Sequence, residues 1–63
     1  MKAYKIIARN QRTNVRIIQQ QLDGREIQSL AEANMMAASL ALQQSQRSGE
    51  QWVAVVEEYT TGQ

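Results

Sequence analysis

The sequence predicts a small α+β domain of β-β-α-β order, with a three-stranded antiparallel sheet packed on one long helix. Three observations predict it. Residues 3–9 and 51–60 are rich in Tyr, Ile and Val and hold no Gly or Pro, which is strand composition. The polar run 10–14 separates two apolar stretches, as a hairpin loop does. Residues 25–47 are nearly all good or fair helix formers, and no Pro interrupts them.

The first strand is expected over about residues 3–9 and the second over about 14–21, where Val15 and Ile17 alternate with Asn14, Arg16 and Ile18. Asp23 is the expected helix cap, with Glu26 at capping-box spacing and Leu22 and Ile27 placed for a hydrophobic staple. The helix is then expected over about 24–48. Ser48-Gly49 ends it, with Gly49 free to take the left-handed conformation of a helix terminus. The third strand follows over about 51–60, and Thr61-Gly62-Gln63 reads as a short tail. No linker, internal repeat or composition shift divides the chain, so residues 1–63 are read as a single domain.

Ile27, Leu30, Ala31, Met35, Ala38, Ala41 and Leu42 recur at three- and four-residue steps and form the expected core face of the helix. Gln28, Glu32, Ser39 and Gln43 fall opposite. Asn34 interrupts the stripe, and Ala33, Ala37 and Leu40 widen it on one flank. A helix running back along the hairpin, with a right-handed crossover, sets the third strand antiparallel beside the first. The expected strand order is therefore 2-1-3.

Composition narrows the function classes. A 63-residue chain buries a smaller fraction of its surface than a larger domain does and is marginally stable alone. Small scaffolds use disulfides, a metal or a partner subunit to compensate. There is no Cys and no His, so disulfides and a structural zinc site are excluded, which leaves self-association. The same absence removes the commonest general base and nucleophile. Asp23 is spent on the cap, and Glu57 and Glu58 are strand neighbours that point to opposite faces. The three glycines are isolated, so no phosphate loop exists. The reading is a non-enzyme without cofactor or metal. No segment has the length of a secretion signal or a membrane span, which makes the cytoplasm the expected compartment and the membrane no partner.

Two mismatches point to a partner. Each strand carries adjacent aliphatics, Ile6-Ile7, Ile17-Ile18 and Val55-Val56, yet neighbours on a strand face opposite sides and one helix covers one side. The uncovered face would expose about three aliphatics plus Trp52 or its neighbour Val53, a patch that marks an interface. The helix of 24–48 would also be about 35 Å long and would overhang strands of about 23 Å. A two-fold symmetric homodimer answers both mismatches. Its expected interface is Ile7, Ile18, Trp52, Met36, Leu40 and Leu42, with a further, unidentified protein as partner.

The alternative is nucleic acid. The net charge is only +1, yet Lys2, Lys5, Arg9, Arg12 and Arg16 all precede residue 22, with no acid among them. A basic hairpin of Lys5, Arg9, Arg12 and Arg16 could follow a phosphate backbone. Trp52 or Tyr4 could stack on a base. Cross-strand pairing of Lys5 and Arg9 with Glu57 and Glu58 would explain the same asymmetry structurally, leaving Arg12 and Arg16 without an acid.

Overall fold

A computed structural model describes residues 1–61 of the chain. The expected tail residues Gly62 and Gln63 lie outside the described residues. The elements are β1 (Lys2–Asn10), β2 (Arg16–Gln19), β3 (Gln21–Leu22), β4 (Arg25–Glu26), α1 (Leu30–Ser48) and β5 (Trp52–Thr60). The main sheet is antiparallel with order β2-β1-β5, and α1 covers one face of it. This is the expected α+β fold with residues 3–9 inside its central strand. The second strand, expected over about 14–21, is confined to Arg16–Gln19, because Asn14 at φ 63°, with its N–H donating to the Asn10 carbonyl, still belongs to the hairpin loop.

The segment before the helix departs from expectation. Asp23 does not cap a helix. It sits at φ 55° beside Gly24 at φ 77°, and these two residues turn the small β3–β4 hairpin. A two-residue turn with positive φ at both positions suits Asp-Gly because Gly has no Cβ and Asp tolerates the left-handed region. The chain then continues extended, and the Ile27 carbonyl accepts from the Tyr4 N–H at 2.8 Å. The helix is capped by Ser29, whose Oγ accepts from the Glu32 N–H at 3.2 Å. Glu32 also places a negative charge at the positive end of the helix dipole. At the other end Gly49 takes φ 72° as expected, and its N–H donates to the Ser45 carbonyl.

The later start removes the length mismatch. A helix of 19 residues is about 28 Å long. Strands of nine residues span about 30 Å. The helix and the sheet therefore match, and no overhang needs covering.

The helix also presents a different face to the sheet. Ala33 and Ala37 are buried against Ile6 and Ile27, and Met36 and Leu40 pack around them with Leu22, Ala54 and Val56. Leu30, Met35 and Leu42, expected in the core, are 52%, 73% and 58% exposed. The cause lies in Ile27. It reaches the core from an extended segment, so it does not set the phase of the helix. The small side chains of Ala33 and Ala37 instead let α1 approach Ile6 closely. Asn34, expected to find a partner or face an edge, is exposed.

Candidate functional site

Strand alternation divides the sheet. Ile6, Ala8 and Asn10 of β1 are buried beneath the helix, with Gln19 and Ile17 of β2 and Val56, Ala54 and Trp52 of β5 as their ladder partners. The intervening residues face away from α1. On that outer face Ile7 is the ladder partner of both Ile18 and Val55, and Arg9 of both Arg16 and Val53. Ile18 and Val55 are 57% and 56% exposed, while Ile7 is half-buried between them. A shallow depression of about 250 Å³ opens among Ile7, Arg9, Arg16, Val53 and Val55.

The expected interface residues thus divide between surfaces. Ile7 and Ile18 lie on the outer sheet face and Leu42 on the exposed side of the helix. Trp52 does not join them. It lies on the helix side, where its Nε1–H donates to the Ser48 Oγ at 2.9 Å, so Val53 takes the outer position. Met36 and Leu40 pack against the core, at the floor of a groove that Gln19, Leu22, Ser39 and Gln43 also line.

The basic residues divide as well. Lys5 reaches Glu57 at 3.3 Å across the ladder, the expected cross-strand pair. Glu58 lies opposite Tyr4 and pairs with Lys2 at 3.6 Å, not with Arg9. Arg12, expected without an acid, hydrogen-bonds Glu50 through Nε. That bond, with a second from the Asn10 amide, holds the Glu50 carboxyl below the usual carboxylate range, although partial burial pushes the other way. Among the described residues Arg9 and Arg16 have no carboxylate at ion-pair distance. They stand directly opposite each other on the ladder, an arrangement that repels. Arg9 is steadied by donating from Nη1 to the Asn14 Oδ1 at 3.0 Å.

The larger hollow, about 660 Å³, lies between the small hairpin and the end of β5, and its ionisable groups are Arg25, Glu26 and Tyr59. The Tyr59 hydroxyl donates to the Glu26 Oε2 at 3.3 Å. Desolvation, followed by the Glu26 charge, raises the phenol above its usual range, so the hydroxyl stays protonated near neutral pH. Among the described residues no three metal-ligating side chains gather, and no helix is long and apolar enough to cross a membrane.

Compared with known proteins, the chain matches no family model, no curated protein and no solved structure.

Proposed function

We propose that this is a non-catalytic binding protein that works as a homodimer and engages an acidic protein partner through the outer face of its sheet. The carrying observation is the row Ile18–Ile7–Val55, joined across three strands on the face that α1 leaves open. A contiguous apolar patch of this kind marks a contact surface. Arg9 and Arg16 border it, and their mutual repulsion is relieved by a carboxylate from outside. The homodimer is supported by the short, cysteine-free chain.

A photo-reactive residue at Ile18, introduced in the cell that makes the protein, tests the surface. The expected result is a discrete, protease-sensitive adduct. Arg9→Glu with Arg16→Glu should abolish it, and Arg47→Glu should not. No adduct, or one insensitive to the double charge reversal, overturns the reading. Sedimentation at micromolar concentration tests the dimer, and a 7.2 kDa particle would overturn it.

A second reading is nucleic-acid binding, favoured by the same Arg9–Arg16 pair. It has less charge to draw on than the sequence suggests, because Lys5 and Arg12 are already paired with Glu57 and Glu50. A fluorescence-polarisation titration with generic DNA and RNA separates the two readings. Salt-sensitive binding lost in the Arg9→Ala plus Arg16→Ala variant establishes the second, and no binding at low salt removes it.

A further inference from the structure

The helix carries a second apolar stripe that the fold does not use. Ala31, Met35, Ala38 and Leu42 are all exposed, on the side of α1 opposite the buried Ala33 and Ala37. At about 100° per residue the four fall within an arc of roughly 60°. A helix with apolar stripes on both sides is built to be covered on both.

We infer that this stripe seats a second copy of the same helix, antiparallel, about a two-fold axis that passes between the two helices at the level midway between positions 36 and 37. The inference rests on the homodimer reading and specifies how the dimer is held. Its basis is self-complementarity. The steps 31 to 35, 35 to 38 and 38 to 42 are four, three and four residues, a spacing that reads the same in both directions. A two-fold axis therefore maps the stripe onto itself. Under that axis Leu42 meets the partner's Ala31, and Met35 meets the partner's Ala38. Large faces small at all four contacts, which is how close-packed layers interdigitate. A parallel pair would set Met35 on Met35 and Leu42 on Leu42, and would leave gaps at Ala31 and Ala38.

Charge agrees with the antiparallel arrangement. The flanks of the stripe are Glu32, Asn34, Ser39, Ala41, Ser45 and Gln46. Glu32 is the only charged one and falls nearest the partner's Ser39, offset by about 3 Å along the helix, while the two copies of Glu32 are offset by about 13.5 Å, so no like charges meet and none is sealed in the seam. Antiparallel helices also set the positive end of one dipole beside the negative end of the other. The contact strip, about 28 Å long and about 10 Å wide, covers roughly 280 Å² of each helix, below the roughly 800 Å² per partner of a standard interface, so a weak, reversible dimer is expected.

The chain has no Cys, so introduced cysteines report the register cleanly. Across the proposed axis the two copies of position 38 are offset by only about 4.5 Å along the helix, whereas those of position 31 are offset by about 16 Å. A disulfide needs Cα atoms within about 7 Å. Under mild oxidation Ala38→Cys should give a linked dimer, and Ala31→Cys or Leu42→Cys alone should not. The double variant Ala31→Cys, Leu42→Cys should link. In sedimentation Met35→Glu with Leu42→Glu should run at 7.2 kDa with unchanged helix content, while the parent runs at twice that mass. A parent chain that runs at 7.2 kDa overturns both the dimer and this interface. A dimer that survives Met35→Glu with Leu42→Glu, or one that Ile18→Glu breaks instead, overturns the helix interface and leaves the dimer standing. Linking by Ala31→Cys alone overturns the antiparallel register.

Discussion

Asn10 donates from its side-chain amide to the Glu50 carboxylate at 2.8 Å, and so ties the first hairpin to the loop behind the helix. Asn10 is 3% exposed, and its Oδ1 also accepts from the backbone N–H groups of Arg12 and Thr13, at 2.8 and 3.1 Å. One side chain thereby shapes the hairpin tip and anchors it 40 residues away in sequence. Asn10→Ala strips the acceptor from two loop donors and the donor from Glu50. It is expected to lower stability by about 1–3 kcal/mol, read from the urea midpoint at unchanged slope.

The Glu50 carboxyl is held below its usual range first by the Arg12 hydrogen bond and then by that of Asn10. A carboxyl with a lowered folded pKa contributes stability above its unfolded value, about 4.3 for Glu, and loses it as pH falls through the folded value. The melting temperature of the parent is therefore expected to drop more steeply below about pH 4.3 than that of Glu50→Gln. Thermal scans from pH 7 downward check this, and parallel acid limbs would contradict it.

Two substitutions separate the observed helix start from the expected one. Ser29→Ala removes the cap and is expected to cost about 1 kcal/mol. Asp23→Gly relieves a non-glycine residue at positive φ and should be neutral or stabilising. Equal losses in the two variants would return the cap to Asp23.

The core and the outer face should respond differently to truncation. Ile27 is fully buried in the central cluster, and Ile27→Ala is expected to cost about 2–5 kcal/mol. Ile18 is 57% exposed, and Ile18→Ala should change stability by about 0.5 kcal/mol or less. Chemical denaturation of both variants tests the division of the sheet into a used and an open face.

Much of the candidate surface was legible in the residues themselves. The doubled aliphatics Ile6-Ile7, Ile17-Ile18 and Val55-Val56 require that one member of each pair face away from a single helix, and the structure shows Ile7, Ile18 and Val55 doing so. The choice between Trp52 and Val53 was not legible, because it depends on the ladder partner, Asn10, and on Ser48 at the helix end. The same holds for the basic residues. The arginine left without an acid beside Arg16 is Arg9, not Arg12, because Glu50 is brought to the hairpin by the return of the chain after the helix. The turn at Asp23-Gly24 did have a local signal, since Asp-Gly between apolar residues favours a two-residue hairpin. The capping-box spacing of Asp23 and Glu26 competed with it, and Ser29 with Glu32 offers the same spacing six residues on.

By itself the sequence determined the outer extent of the first and last strands, the antiparallel order of the main sheet, the left-handed Gly49 that ends the helix, and the lack of any disulfide. Each follows from local composition or from the short list of allowed connections. The phase of the helix was decided only by tertiary structure. Ala31, Met35, Ala38 and Leu42 on one side and Ala33, Met36, Ala37 and Leu40 on the other both satisfy helical periodicity, so periodicity selects neither. Packing selected the second stripe, because Ile27 entered the core from an extended segment and the small Ala33 and Ala37 fit against Ile6. The stripe left outside is the one on which the proposed dimer is built.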